Sequence, residues 1–176
     1  MTVVIAGAGG QLGRLASEAV LGLAPASELI LVTRRPEALD DLAARGADVR
    51  HGDFDEAEAL PAALAGGERM LLISTDALGR RVQQHRNAIG AAVAAGVRHI
   101  AYTSILNPTP GANPAFVVDE HVETEAALHE SGLAWTMLRM GSYSEFLVPA
   151  GQDRQVGRNA SDYAQLVPRP AILAGF

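Results

Sequence analysis

Short apolar runs alternate with longer stretches of helical periodicity along most of the chain. The runs at 2–6, 28–32, 47–51, 69–73, 98–103 and 134–138 read as strands. The patterns between them, at 11–22, 36–45, 55–65, 79–95 and 116–131, read as helices. The strands are largely apolar rather than alternating, which suits a parallel sheet covered on both faces. Right-handed crossovers then predict an α/β fold with a doubly wound, mostly parallel, Rossmann-like sheet. Pro36 and Glu37 suit the first turn of a helix, and Gly46, Gly66, Gly96 and Gly132 stand where helices should stop.

The periodicity fails beyond 141. Gly141, Pro149, Gly151, Gly157, Pro168, Pro170 and Gly175 interrupt every long element, leaving a short helical turn at 161–167 with Ser161 as its cap. The expected organisation is one domain over 1–140 and a short irregular segment over 141–176.

Composition narrows the chemistry. All fourteen positive side chains are Arg, and the absence of Lys removes Schiff-base chemistry and the P-loop lysine. The absence of Cys removes disulfides, thiolate nucleophiles and Cys-based zinc sites. A net charge of -6 argues against a nucleic-acid partner. No apolar run approaches a membrane span and no signal-peptide pattern opens the chain, so a cytoplasmic protein with no membrane partner is expected. No His/Asp/Glu spacing suggests a metal site.

The sharpest local signal follows the first strand, where Gly7, Gly9, Gly10 and Gly13 precede a helical pattern. Glycines there permit a tight turn and close approach of backbone to a pyrophosphate, whose charge meets the helix's first N–H groups. An NAD-selective site places Asp or Glu at the end of the second strand. Here that position reads Thr33-Arg34-Arg35-Pro36, two guanidiniums suited to a 2′-phosphate, so NADPH is the expected cofactor. Past the third strand, Asp53 is a candidate acceptor for the adenine amino group. Phe54 either covers the ring edge or packs in the core, and Asp55 is read as a helix cap.

With these residues in view, the chain resembles the NmrA-like group of atypical short-chain dehydrogenases, which includes bacterial NADPH:quinone oxidoreductases. The likeness runs through Ile5-Ala6-Gly7-Ala8-Gly9-Gly10-Gln11-Leu12-Gly13, where Gly9 replaces the family's usual Thr. It continues through Leu71-Leu72-Ile73-Ser74, Gln84-His85-Arg86-Asn87 and Ile100-Ala101-Tyr102-Thr103-Ser104. It ends in Asp119-Glu120-His121-Val122-Glu123-Thr124-Glu125, Leu138-Arg139 and Tyr143-Ser144-Glu145. The resemblance implies phosphate binding by Gly7, Gly10, Gln11, Leu12 and Arg34, ribose contacts at Ser74 and Thr75, and a nicotinamide beside Thr103 and Ser104. It also implies a C-terminal substrate lobe, of which 141–176 would be a shortened remnant or substitute. Where the quinone reductases carry Arg-Asn-Gly, this chain has Arg139-Met140-Gly141.

A Tyr-x-x-x-Lys proton donor is impossible without Lys. Hydride transfer to a quinone asks less of the protein, namely positioning and a supply of protons. The catalytic candidates are His121, Ser104 and Tyr143, with His121 singled out because an unperturbed imidazole titrates near neutrality. His85 and His129 read as solvated helix residues, and Trp135 and Met137 as core. Phe116 and the proline-rich loop at 104–115 are candidates for the rim of the pocket. Three functions stay open: a reductase of quinones or similar electrophiles, a non-catalytic NADP-binding redox sensor, or a truncated family member. Homodimerisation is a further expectation.

Overall fold

A computed structural model describes residues 1–111, 113, 115 and 117–141. Six strands form one parallel sheet: β1 (Val3–Ala6), β2 (Leu29–Thr33), β3 (Asp48–His51), β4 (Arg69–Leu72), β5 (His99–Ile105) and β6 (Ala134–Met140). Their order is β3-β2-β1-β4-β5-β6, the doubly wound topology expected from the alternating pattern. The order reverses between β1 and its neighbours β2 and β4, and the carboxyl ends there form the crevice in which such sheets bind ligands.

Both faces of the central strands are covered. Val4, Ala6, Ile30, Val32, Met70, Leu72, Ile100 and Tyr102 pack beneath α3 (Leu60–Leu64), α4 (Arg81–Ala94) and α5 (Val118–Glu130). Val3, Ile5, Leu29, Leu31, Leu71 and Ala101 face α1 (Gln11–Leu21) and α2 (Asp40–Ala44). The junction between α4 and β5 turns at Gly96, whose φ of 79° is a conformation that costs glycine little.

Several elements depart from the expected lengths. The helix expected at 55–65 is confined to Leu60–Leu64, because Asp55 is engaged elsewhere and caps nothing. Its carboxylate accepts hydrogen bonds from Arg80 and Gln84, both belonging to the α4 end of the fold. The helix expected at 36–45 splits into a 3-10 turn (Pro36–Leu39) and α2. Trp135, expected in the core, is 43% exposed because β6 is the last strand of the described sheet. It packs edge-on against His129 with ring centroids 4.2 Å apart. Met137, by contrast, does pack against the core. Tyr143, Phe116, the turn expected at 161–167 and nearly all of the segment at 141–176 lie outside the described residues.

Gly13 is the tightest point between α1 and the sheet. A Cβ there would collide with the Gly7 carbonyl oxygen and lie 2.7 Å from Ala8 Cα, both backbone atoms that cannot swing aside. At Gly10 the nearest such atom is 3.6 Å away. Gly13→Ala is therefore expected to destabilise the fold by about 3 kcal/mol, at the upper end for overpacking. Gly10→Ala should cost less than about 1 kcal/mol in the same denaturant titration. Equal midpoints for the two variants would contradict this packing.

Candidate functional site: a dinucleotide cradle and an adjoining cavity

The glycine turn is hung from the second strand. Gly7, at φ 95°, and Ala8 both donate their N–H groups to the Val32 carbonyl, at 3.0 and 3.1 Å. The Gly10 N–H closes the turn onto the Gly7 carbonyl at 3.2 Å. α1 then starts at Gln11 with no side chain capping it, so the first amides of the helix point toward the crevice without a side-chain partner. Gly9, Gly10 and Gln11 are exposed there, and Leu12 is half-buried.

Across the crevice, Arg34 and Arg35 leave the end of β2 exposed, and among the described residues neither guanidinium forms an ion pair. Nearby Arg14 is by contrast paired with Asp41, and Arg45 with Glu18. An uncapped helix start, a turn in which Gly9 and Gly13 leave no room for a side chain, and two guanidiniums without an ion pair among the described residues make a donor set that fits a phosphate-bearing dinucleotide. Asp53 is half-buried past β3 and its Oδ1 accepts the Asp55 N–H at 3.0 Å. Phe54 is buried with Val32, Leu60 and Leu64, which is the packing role of the two weighed for it.

At the far end of the crevice, β4 and β5 are stapled together. The Ser74 N–H donates to Thr103 Oγ1 at 2.8 Å, and the Thr103 hydroxyl donates to Ser74 Oγ at 3.3 Å. Next to them, the buried Thr75 Oγ1 has no hydrogen-bond partner among the described residues. Ser74, Thr103, Ser104, His121 and Met140 line a cavity of about 160 Å³. The structure brings Ser74, Thr103, Ser104 and His121 to one cavity, and Met140 forms part of its wall.

Behind this cavity lies a buried polar network that sequence reasoning missed. Arg81 Nη1 donates to Glu120 Oε2 at 2.7 Å, and Arg81 Nε donates to the Thr75 carbonyl at 2.6 Å. The other Glu120 oxygen accepts the Gly79 N–H at 2.7 Å. The loop from β4 to α4 is thereby tied to α5. His85, expected on a solvated surface, is fully buried instead. Its Nε2 accepts the Thr75 N–H at 3.1 Å, and its Nδ1 lies 3.0 Å from Thr124 Oγ1, whose own hydroxyl is donated to the Glu120 carbonyl. The proton of this ring therefore sits on Nδ1. The signal was available in the helical spacing: Arg81, Gln84, His85 and Ala88 fall on one stripe of α4, and His121, Thr124, Glu125 and Leu128 on one stripe of α5.

Burial, reinforced by Arg81 and by His121, pushes the His85 pKa down to about 3. Burial and the Arg81 charge likewise lower His121 to about 4, against the opposing pull of Glu120 and Glu125. The near-neutral titration that recommended His121 is thus removed by its surroundings, and the ring is neutral at pH 7. Tyr102, whose hydroxyl lies 2.7 Å from His121 Nδ1, is pushed above its ordinary value by burial. Ser104 donates its hydroxyl proton to Glu125 Oε1 at 2.5 Å, so it offers the cavity lone pairs rather than a proton. Burial raises the Glu125 pKa, but hydrogen bonds from Arg139 and Ser104 outweigh it and hold the carboxyl below its usual range.

No helix among the described residues is long and apolar enough to cross a membrane, and no described cluster of His, Asp and Glu could hold a metal ion. The strand order, the glycine turn and the uncapped α1 define a dinucleotide-binding α/β protein. The NAD(P)H-binding family matches residues 7–172. Quinone oxidoreductase 2 of Escherichia coli is 40% identical over 187 aligned residues, covering 98% of this chain and 65% of that protein. An NmrA-like family domain-containing oxidoreductase of Aspergillus flavus is 35% identical over 150 residues, covering 82% of this chain and 49% of its own length. The crystal structure of an E. coli NADPH-dependent quinone oxidoreductase complexed with NADPH matches with a TM-score of 0.78 at 45% identity, over 83% of this chain and 51% of that one. The chain belongs to the NAD(P)H-binding family, in the NmrA-like branch related to bacterial quinone oxidoreductases. It spans about half to two thirds of the length of these relatives.

The two buried histidines make stability depend on pH in a definite window. Their folded pKa values lie below the unfolded value of 6.5, so the unfolded chain binds more protons as pH falls from about 6.5 toward 4. Stability should be level above pH 7 and decline below 6.5, by up to about 1.4 kcal/mol per pH unit for His85 and less for His121, which faces the cavity. Unfolding free energies measured from pH 7.5 to 4.5 check this, and His85→Gln should reduce the slope. A flat profile down to pH 4.5 would contradict the neutral assignment.

Proposed function

We propose that this protein is an NADPH-dependent reductase that passes hydride to a quinone or a similar small electrophile. The observation that carries the cofactor choice is the exposed Arg34–Arg35 pair at the end of β2, opposite the uncapped start of α1 and unpaired among the described residues. On this reading Gly9, Gly10, Gln11 and Leu12 hold the pyrophosphate by backbone amides, and Arg34 with Arg35 holds the 2′-phosphate. Asp53 accepts the adenine amino group, and the loop at Ser74 and Thr75 lies against the nicotinamide ribose. Thr103 and Ser104 border the reacting end.

The bound cofactor supplies the hydride, and the chain's own residues position, shield and supply protons. Ser104, oriented by Glu125, presents lone pairs to a donor on the nicotinamide carboxamide or substrate. With Tyr102 donating to Nδ1, His121 carries its proton on Nε2, and the neutral ring then donates a hydrogen bond to a developing hydroquinone oxygen. The Arg81–Glu120 pair fixes the α5 segment from which His121 projects. Tyr143 is retained as a third candidate at this end of the site.

A second reading is favoured by Met140, which gives the cavity an apolar wall where resembling quinone reductases carry an amide. It makes the chain an NADP-binding sensor without turnover. Adding a benzoquinone or naphthoquinone panel to protein loaded with NADPH separates the two: a reductase oxidises NADPH above the free reaction, whereas a sensor binds it and leaves it intact. For the cofactor itself, the Arg34→Ala/Arg35→Ala variant is expected to weaken NADPH by about 1–3 kcal/mol and to leave NADH unchanged in a fluorescence titration. Equal affinities for the two dinucleotides, before and after the change, would contradict the assignment.

A further inference from the structure

Thr33 ends β2 and is buried, yet its hydroxyl oxygen touches both halves of the phosphate cradle. Oγ1 accepts the Arg35 N–H at 3.2 Å, fixing the backbone direction in which the arginine pair leaves the sheet. The same oxygen occupies the space that a Cβ on Gly9 would need, whereas Thr33 Cβ lies 3.4 Å from that space, an ordinary distance. Gly9 is itself exposed on the open side of the turn. Beyond this bond the pair is held by little: the Arg35 carbonyl accepts the Ala38 N–H at 3.1 Å, and the following Pro36 has no N–H to offer. Both guanidiniums are exposed. One buried oxygen is therefore close both to the glycine turn, which the Val32 carbonyl holds, and to the backbone that carries Arg34 and Arg35.

We propose that Thr33 is a positioning residue for cofactor selectivity, acting through the Arg35 amide on the arginine pair and through van der Waals contact on Gly9. The proposal rests on the NADPH reading given above and extends it to a residue that need not touch the cofactor. Two properties of Thr33 separate cleanly by substitution. Thr33→Val keeps the bulk and loses the acceptor. Thr33→Ser keeps the acceptor and loses a methyl group. Thr33→Ala loses the oxygen and clears the space at Gly9.

Dissociation constants for NADPH and NADH, measured on each folded variant by fluorescence titration, test the proposal. The wild-type chain should prefer NADPH. Thr33→Val and Thr33→Ala should each lose about three- to tenfold in NADPH affinity, the range for one lost hydrogen bond, with NADH unmoved. Thr33→Ser should retain the wild-type preference. In Gly9→Ala the new methyl meets the Thr33 hydroxyl, which must turn away and release the Arg35 N–H. This variant should lose NADPH affinity as Thr33→Val does, with NADH unmoved, and Gly9→Ala/Thr33→Ala should bind NADPH no more weakly than Thr33→Ala. Wild-type selectivity in Thr33→Val and Thr33→Ala, or wild-type binding in Gly9→Ala, would overturn the proposal while leaving the NADPH reading intact. A wild-type chain with no preference for NADPH would overturn both.

Discussion

The Val32 carbonyl accepts two consecutive N–H groups, from Gly7 and Ala8, and that fork fixes the chain's turn from β1 into α1. The contact works only because Gly7 takes a positive φ and because Gly13 lets the helix rest on the Gly7 carbonyl without a side chain between them. α1 consequently begins at the carboxyl edge of the sheet with its amides uncapped, at the point where the strand order reverses. None of the described helices carries a side-chain cap, so what sets α1 apart is its place: its first amides stand at the carboxyl edge where the strand order reverses, where an anion can meet them. The arginine pair at the end of β2 inherits its position from the same strand, since Val32 and Thr33 hold the turn and the pair side by side.

The opposite end of the crevice is organised by polar groups inside the fold. Arg81 and Glu120 are both largely buried, and taking such a pair out of water offsets much of its attraction. Its contribution lies in geometry: one pair engages the Thr75 carbonyl, the Gly79 amide and α5 at once. His85 adds a neutral link from the Thr75 amide to Thr124. The loop that carries Ser74 and Thr75 is therefore fixed on its protein side. Glu125 does the same for Ser104, through Arg139 on the last strand.

Much of this was legible in the sequence, for reasons that can be named. Apolar runs buried on both faces announce a parallel sheet, and β1, β2 and β4 are of that kind; β3 and β6, the outer strands of the described sheet, are half-exposed, which is why Trp135 lies outside the core. The glycine turn and the arginine pair are local in sequence, so their chemistry could be read without knowing the fold. The α4–α5 network could not be read in that way, because Arg81 and Glu120 are 39 residues apart and each alone looks like a solvated helix charge. Histidine roles failed for the same reason. The stripes on α4 and α5 announce that His85 and His121 are buried, but neither stripe carries how the two helices face each other, and so neither places the Arg81 charge beside His121.

The central claim is that a 2′-phosphate lies between the start of α1 and the arginine pair. Backbone amide shifts recorded by NMR during parallel titrations with NADP⁺ and NAD⁺ address it directly. Shifts at Gly9, Gly10, Gln11 and Leu12 with both dinucleotides, joined by Arg34 and Arg35 with NADP⁺ alone, are the expected result. Amides at 9–12 that stay unmoved, or an arginine pair that responds equally to both ligands, would contradict it.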